Sequence, residues 1–288
     1  MKAIHKILPA FTVCLLLGSI VSGCGNKKKK AELSNLPQEV KPVAVAIVSD
    51  SPAAFASVVN YPLQRPYPLK DIKDSVAMVA YYPTLIDDTL KKTIEEAPDS
   101  TWQEQGWRGW TLYDGSYIWI DNGKIYAVNY ISSREANMLD SLRKEEISSL
   151  DPALRDGWTP VVCMIDTIDG AIFRIDTKND TADYGTTGEY RLAGYSMNID
   201  LSGTPTIVLY GALDLEGSMG NRFYHFSDSV GTRADYSPDI IDDNDSVPAI
   251  ELERNGKIKK FKANPGYWLD HVKKNEKKRV SNGSAIVE

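Results

Sequence analysis

The chain is poor in cysteine and histidine, with three of each among 288 residues. The histidines lie far apart in the sequence, which argues against a histidine-rich zinc site. The formal net charge is −6, and this acidic balance argues against general nucleic-acid binding, which requires a basic face. The longest apolar run is interrupted and shorter than the roughly 20 residues of a membrane span. We therefore expect no metal, no cofactor and no nucleic-acid partner.

Two short patterns come close to functional motifs without completing them. The stretch from Gly217 to Gly220 is one residue short of the Gly-x-Ser-x-Gly elbow, and we interpret it as a turn. In the acidic loop that begins at Asp239, a calcium-loop spacing can be counted from Asp242. However, Val247 occupies the position where such a loop requires glycine. A solvated loop is the favoured interpretation, and a weak calcium contact is the alternative.

The first 23 residues have the parts of an export signal. Lysines at positions 2 and 6 precede a largely apolar run from Ile7 to Val21, and small residues follow. The sequence Val-Ser-Gly-Cys that ends at Cys24 resembles the lipobox of bacterial lipoproteins. The resemblance implies that residues 1–23 are removed and that Cys24 is lipidated and anchored in a membrane. Several acyl chains anchor stably because each buried methylene contributes about 0.8 kcal/mol. A plain signal peptide with an incidental cysteine is the alternative.

The residues after Cys24 bear on which membrane receives the anchor. In the lipoproteins that this chain resembles, an aspartate at the next position retains the protein in the inner membrane, whereas this chain has Gly25. The resemblance therefore implies the bacterial outer membrane. Lysines occupy 27–30, where surface-displayed lipoproteins carry acidic residues, which favours the periplasmic face. Surface exposure stays open as the alternative. Residues 24–42 are predicted to be the lipidated tether and linker.

Residues 43–150 are predicted to form an α+β domain. Its first segment, Val43 to Val48, is apolar and rich in valine, which favours a short strand. Capping residues then predict two helix starts, one at Ser51 before a proline and one at Asp74 or the residue after it. In the second helix we expect Val76 and Val79 to face inward.

A β-meander and a further helix complete this domain. Strands are predicted at Gly109–Tyr113, Tyr117–Asp121 and Lys124–Ile131, because Asp-Gly and Asn-Gly pairs between them are strong hairpin signals. Ser132 followed by Glu135 has the spacing of a capping box, which predicts a helix start there. This helix is expected to mark the boundary between two domains.

The order of these elements resembles a known domain family. A helix, Tyr61-Pro62-Leu63, a helix with Tyr81-Tyr82 and the strands around Trp119 and Tyr126 look like the NTF2-like (SnoaL-like) domains of bacterial envelope proteins. The resemblance covers residues 45–131 and implies helices folded over a strongly curved antiparallel sheet that forms a cone. Enzymatic members usually hold a histidine–aspartate pair or a similar acid/base inside the cone, and this range contains no histidine. The whole chain looks like a two-domain lipoprotein of the Bacteroides type.

Residues 151–272 are predicted to be all-β, and residues 273–288 to form a disordered tail. The predicted strands are Thr159–Asp166, Ala171–Asp176, Tyr190–Asp200, Thr204–Ala212, Arg222–Phe226, Pro248–Glu253 and Lys257–Lys262. Short strands with turn residues between them suggest a small sandwich or barrel. Cys163 lies within the first strand, which is typical of a small core residue rather than a nucleophile. We expect His225 to be a surface or hydrogen-bonded histidine.

Aromatic residues around the meander supply the candidate ligand site. It consists of Trp107, Arg108, Trp110 and Tyr113, because an exposed aromatic patch commonly marks a binding surface. The alternative is that these rings are core or inter-domain packing. We expect a non-enzymatic binding or interaction module whose partner is an envelope protein or a glycan. The alternative is a glycan- or cell-wall-processing hydrolase that uses a pair of carboxylates.

Overall fold

A computed structural model describes most of the chain. The described residues are 33–178, 188–197, 201–217, 221–239 and 247–274. Several predicted segments lie outside these ranges. They are the signal peptide, Cys24 with the first part of the tether, most of the acidic loop, residues 218–220 of the predicted turn and residues 275–288 of the predicted tail. No helix within the described ranges has the length and apolar character that crossing a membrane requires.

The fold is α+β, with helices and two antiparallel sheets among the described residues. The helices are α1 (Val40–Val48), α2 (Pro52–Ser57), α3 (Ser75–Leu85), α4 (Asp88–Glu96) and α5 (Ser133–Ser148), and residues 268–274 form a further helical segment, called here the C-terminal helix. The strands of the first sheet are β1 (Trp102–Glu104), β2 (Trp110–Leu112), β3 (Ile118–Asp121) and β4 (Lys124–Val128). The strands of the second sheet are β5 (Thr159–Asp166), β6 (Ala171–Thr177), β7 (Tyr190–Ser196), β8 (Ile207–Glu216), β9 (Asn221–Ser227), β10 (Arg233–Tyr236), β11 (Ala249–Arg254), β12 (Lys257–Lys262) and β13 (Asn264–Gly266).

Side-chain caps start the helices where the sequence predicts them. Ser51, Asp74 and Ser132 each accept a hydrogen bond from the backbone N–H three residues further on. Such caps satisfy backbone donors that the first helical turn leaves without a partner. The predicted inward face of α3 is wrong, because Val76 and Val79 are exposed. The helix instead buries Met78, Tyr82 and Leu85, which form one helical face and present a larger apolar area.

The strand predicted at Val43–Val48 is also wrong, because the segment belongs to α1. Its buried residues are Val40, Val43, Ala44, Ala46 and Ile47. Most of them recur at three- and four-residue spacing, which is the period of a helix. Valine has a high strand propensity, but residues at this spacing fall on one side of the segment only if the segment is helical. Leu36 and Val40, from the predicted linker, are buried in the same core.

The predicted meander is confirmed as an antiparallel sheet in the order β1-β2-β3-β4. Strand β1 was not predicted, since three residues carry too little pattern to recognise. Asn122 and Gly123 both have positive φ, as the tight hairpin between β3 and β4 requires. Leu112, Ile118 and Ile125 face the core that the sheet shares with α1 to α4. This sheet therefore forms one wall under the helices.

The second sheet contains a strand at each place predicted after residue 158, but β8 begins at Ile207 rather than Thr204. Residues 198–200 of the predicted strand Tyr190–Asp200 lie outside the described ranges. Its order is β12-β11-β10-β9-β8-β7-β6-β5-β13, and neighbouring strands run antiparallel. The sheet nearly closes on itself, because β13 pairs with β5 and the Lys262 N–H donates to Asp166 Oδ2 at 2.7 Å. Where the sequence predicts a sandwich or barrel, the structure shows one large, nearly closed antiparallel sheet.

The two faces of this second sheet have different compositions. One face carries an apolar core that includes Phe173, Ile175 and Leu192. The opposite face carries a smaller apolar cluster with Cys163 and Trp268, and the end of α5 and the C-terminal helix cover it. Alternation along β6 therefore places Arg174 and Asp176 under these helices rather than in the larger core. The candidate site is built at this covered face.

Candidate functional site

Helix α5 carries a buried glutamate at each end of its apolar stripe. Glu135, Leu139, Leu142 and Glu146 follow one another at spacings of four, three and four residues, which places them on one helical face. Both glutamate side chains are fully or almost fully buried. A buried carboxylate is costly unless it is paired or protonated, so the surroundings of each glutamate determine its role.

Glu135, at the start of α5, is saturated with hydrogen-bond donors. Arg65 donates from Nε to Oε1 at 2.8 Å and from Nη2 to Oε2 at 2.6 Å, and the Tyr81 hydroxyl donates to Oε1 at 2.9 Å. Arg65 also donates to the carbonyl oxygens of Val128 and Tyr130. The predicted capping box is therefore half right: Ser132 caps the helix, but the carboxylate of Glu135 turns to Arg65. This contact fixes residues 58–74, called here the loop before α3, onto α5 and β4.

Glu146, at the other end of the stripe, has fewer partners. The Tyr67 hydroxyl donates to its Oε1, while its Oε2 lies 3.6 Å from Arg174 Nη2 and has no hydrogen-bond partner among the described residues. Burial raises the pKa of Glu146 to about 7, and the nearby Arg174 only partly offsets this effect. The carboxyl group therefore changes its charge near neutral pH.

Behind Glu146, two arginines enclose a buried aspartate. Arg174 donates to Asp176 from Nη2 at 2.6 Å, and Arg191 donates to the other oxygen of Asp176 at 2.6 Å. Each guanidinium also lies over an indole ring: Arg174 over Trp268 at 4.8 Å and Arg191 over Trp158 at 4.4 Å. Arginine stacks well on aromatic faces while its edge forms hydrogen bonds. Each arginine is therefore held both by Asp176 and by an aromatic ring, and Trp268 of the C-terminal helix covers Arg174.

A cleft of about 440 Å³ opens beside Glu146. It lies between the loop before α3, helices α3 and α5, and the C-terminal helix. Its walls are mainly apolar, and the apolar residues that line it include Leu69, Ile72, Met138, Leu142 and Leu269. A concave, mostly apolar pocket with few polar groups is the usual form of a small-molecule site. Glu146 is the buried ionisable side chain in this lining.

Two exposed ion pairs stand near the mouth of the cleft. Lys70 pairs with Asp270 at 2.6 Å, and Lys273 pairs with Glu145 at 3.0 Å. The Tyr267 ring lies against the Tyr67 ring at 6.2 Å in a stacked arrangement. These contacts connect the C-terminal helix to the loop before α3 and to α5. Exposed pairs contribute little to stability, so these two ion pairs add little to the stability of the cleft wall.

Cys163 lies beside this charged group but is not a candidate nucleophile. Its side chain is fully buried, and burial raises the pKa of the thiol far above its ordinary value, an effect that Glu146 and Asp176 reinforce. The thiolate is the reactive form of cysteine. The prediction of a core cysteine is confirmed.

The ionisation of Glu146 predicts an unusual pH dependence of stability. Its pKa is raised in the folded protein, so the fold binds more protons than the unfolded chain between about pH 4.5 and 7. The free energy of unfolding should therefore fall across this window, by up to about 3 kcal/mol, and level off above it. Glu146→Gln should lack this fall and be more stable than the wild type at pH 8.

Urea unfolding of both proteins from pH 4.5 to 8 measures this difference. Comparison at each pH is needed because His271 acts in the opposite direction: burial lowers its pKa, so its contribution grows as pH rises through about 6.5. Parallel curves for wild type and Glu146→Gln would mean that Glu146 titrates as an ordinary surface acid.

The residues that the sequence analysis predicts to bind a ligand do not line this cleft. Trp107 and Arg108 occupy the short helical turn Gly106–Arg108, and Trp107 is 83% exposed. Trp110 is partly buried against the core of the first sheet. Tyr113 packs against Tyr117, with ring centroids 5.4 Å apart. The structure thus puts Trp107 and Arg108 together on the surface and directs Trp110 to the core; ligand binding by this group stays a prediction.

The histidines do not form part of the cleft lining described above. His225 is partly exposed, and its Nδ1 lies 2.6 Å from Asp235 Oδ1, as expected for a hydrogen-bonded surface histidine. Within the described ranges, no cluster of three or more histidine, cysteine, aspartate or glutamate side chains is arranged to hold a metal ion.

Sequence reasoning missed Glu146, Arg174 and Asp176. Glu146 stands in the run Arg-Lys-Glu-Glu, where a solvated helix face is the ordinary interpretation. One signal was present: Glu146 falls at helical spacing from Leu139 and Leu142. In β6, Arg174 and Asp176 alternate with Phe173 and Ile175, which indicates a polar face but not a covered one.

Comparison with protein-family models, with curated proteins and with solved structures finds no match to this chain.

Proposed function

We propose that the chain is a cell-envelope lipoprotein that acts as a non-enzymatic binding module, and that the cleft beside Glu146 takes its ligand. The observation that carries the proposal is the combination of apolar walls with one deeply buried carboxyl group that has an oxygen without a hydrogen-bond partner. Buried polar atoms in native proteins are normally hydrogen-bonded, so an exception at a cleft wall calls for an explanation. A ligand that donates a hydrogen bond supplies one.

The resemblances found in the sequence agree with this proposal. Helices packed on an antiparallel sheet suit an NTF2-like first domain, a family that includes many binding modules as well as enzymes. The lipobox-like sequence ending at Cys24 supports a membrane anchor, Gly25 after it favours the outer membrane, and the lysines at 27–30 favour the periplasmic face. Fold alone does not decide function, so the cleft rather than the resemblance carries the argument.

Hydrolysis by a carboxylate pair receives less support from the geometry. Such an enzyme needs a second carboxylate roughly 5–10 Å from the first, facing the same substrate. Asp176 is enclosed by two arginines, Asp270 pairs with Lys70, and Asp71 Oδ1 accepts a hydrogen bond from the Arg65 backbone. Glu146 could serve as a general acid, but none of these three is an unengaged partner for it.

A pair of substitutions on α3 tests the cleft as a ligand site. Ala77 lines the cleft, whereas its neighbour Val76 is 79% exposed. Ala77→Trp should fill part of the cleft, while Val76→Trp adds the same side chain to the surface. The probe is tryptophol, a neutral indole alcohol, added to the purified full-length protein. The measured quantity is the NMR signal of the ¹³C-labelled methyl group of Met138, which the variant Met138→Leu identifies. Tryptophol should shift this signal in the wild type and Val76→Trp but not in Ala77→Trp.

The anchor is tested separately. Protein isolated from the native cell membrane should lack residues 1–23 and carry acyl chains on Cys24, which intact-mass analysis detects. Cys24→Ser should release the protein from the membrane fraction. An unmodified mature chain, or one that retains the signal, would refute the lipoprotein part of the proposal and leave the cleft part unaffected.

A further inference from the structure

We propose that the ligand of this cleft is a primary amine on an apolar body, with the ammonium group donating a hydrogen bond to Glu146. This inference rests on the proposed function, since it names the chemical class that the cleft would accept. It concerns the buried end of the cleft at Glu146 rather than the ion pairs near its mouth.

The requirement for a donor follows from the two buried carboxyl groups of α5. Glu135 accepts three hydrogen bonds, two from Arg65 and one from Tyr81. Glu146 has only the Tyr67 hydroxyl on Oε1, and its Oε2 is left without a hydrogen bond in the described part of the chain. In its ionised form the carboxylate accepts and cannot donate, so the partner that this form lacks is a donor. The Glu146 side chain is 1% exposed, which makes an unmet acceptor there costly.

The apolar body follows from the cleft walls. Leu69, Ile72 and Leu269 are buried at the cleft, and Met138 and Leu142 of α5 continue its lining towards Glu146. A volume of about 440 Å³ accommodates a bicyclic ring with a short side chain. An amine with such a body would place its ring on the walls and its nitrogen near α5.

The charges around Glu146 favour a cation over an anion at its free oxygen. The Tyr67 hydroxyl from the loop and Arg174 from β6 contact Glu146. Asp176 from β6, the Cys163 thiol from β5 and Glu145 on its own helix also interact electrostatically with this group or its neighbours. Asp176 already occupies Arg174 on one side, at 2.6 Å, whereas Glu146 remains 3.6 Å away. At the mouth, Lys70 and Lys273 are paired with acids. Arg174 Nη1 is also buried without a hydrogen-bond partner among the described residues, but a ligand carboxylate there would stand beside the carboxyl groups of Glu146 and Asp176. An ammonium would instead give Glu146 its own partner.

Binding of an ammonium should depend on the ionisation of Glu146. The ionised form is the one that attracts a cation, and burial raises the pKa of this group to about 7. The affinity for the amine should therefore rise about tenfold between pH 6 and pH 8, whereas the affinity of a neutral analogue should stay constant.

The experiment compares three probes that share the indole ring: tryptamine, tryptophol and indole-3-acetate. Each is titrated at pH 6 and pH 8 into the full-length protein, with the Met138 methyl signal as the readout. At pH 8, tryptamine should bind at least tenfold more tightly than either analogue. Glu146→Gln should reduce tryptamine to the affinity of tryptophol and remove the pH dependence. Asp140→Asn is the matched control, since Asp140 is an exposed acid of the same helix and lies outside the cleft lining, and it should retain both.

The outcomes separate this inference from the proposed function. Tryptophol or indole-3-acetate binding as tightly as tryptamine, or an unchanged preference in Glu146→Gln, would overturn the amine assignment and leave the cleft as a ligand site. Tighter binding of indole-3-acetate would point to Arg174 as the receiving group instead. If none of the three probes shifts the Met138 signal, both the amine assignment and the cleft as a ligand site fail.

Discussion

Replacing Asp176 with asparagine is expected to destabilise the protein by about 3–5 kcal/mol, because it removes the shared partner of two buried arginines. Arg174 and Arg191 are each 1% exposed, and each donates to a different oxygen of the Asp176 carboxylate at 2.6 Å. Asparagine keeps the shape of the side chain but loses its charge and one acceptor. Two buried guanidinium groups would then remain without a counterion between them.

The second acid near this site cannot compensate fully for the loss. Glu146 lies 3.6 Å from Arg174 and would be drawn into its ionised form, which should lower the pKa of Glu146 and reduce the pH dependence described above. Among the described residues, the hydrogen bonds of the Arg191 side chain go to Asp176, and the Trp158 ring that covers it offers only a cation–π contact. Most of the cost should therefore arise at Arg191.

Urea denaturation of Asp176→Asn and of a surface control measures this cost. Glu189→Gln removes the acid from an exposed pair with Lys178, whose side chains are 44% and 49% exposed, and should change the free energy of unfolding by less than about 1 kcal/mol. A loss in Asp176→Asn as small as that in the control would show that water or backbone groups satisfy both arginines.

The success of sequence reasoning differed between elements for physical reasons. The caps at Ser51, Asp74 and Ser132 and the Asn-Gly hairpin were predictable because each depends on a few adjacent residues. The inward face of α3 and the helical state of Val43–Val48 were not, because they depend on which apolar face packs best against distant segments. Propensity is a weak guide in such cases.

The candidate site was out of reach for a related reason. Tyr67 and Glu146 are separated by 79 residues, and Arg65 and Glu135 by 70, yet each pair is in hydrogen-bond contact. A glutamate in a charged helical run appears solvated until its neighbours in space are known. Helical spacing is compatible with both glutamates on the stripe of Leu139 and Leu142, but only the loop before α3 and the covering C-terminal helix make that stripe a buried one.

Substitutions of Arg65 and Glu135 should have the second large effect on the free energy of unfolding. The double variant has to be compared with the single variants to show what the ion pair contributes. Glu135→Leu should cost about 3–5 kcal/mol, because it leaves the Arg65 guanidinium buried with two carbonyl oxygens but no counterion. Arg65→Met should cost a similar amount, since Glu135 would then keep only the Tyr81 hydroxyl. The double variant Arg65→Met/Glu135→Leu should cost less than either single change, because apolar side chains need no partners at these positions.

A double-mutant cycle by urea denaturation tests this pattern, and Asp270→Asn is the control, because the Asp270–Lys70 pair is largely exposed and its loss should cost less than about 1 kcal/mol. A double variant that loses as much as the sum of the singles would mean that Arg65 acts mainly through the carbonyls of Val128 and Tyr130. The contact would then serve to hold β4 rather than to neutralise a buried charge. A double variant more stable than either single variant would instead show that the ion pair holds the loop before α3 in place without adding net stability. That loop forms one wall of the cleft beside Glu146.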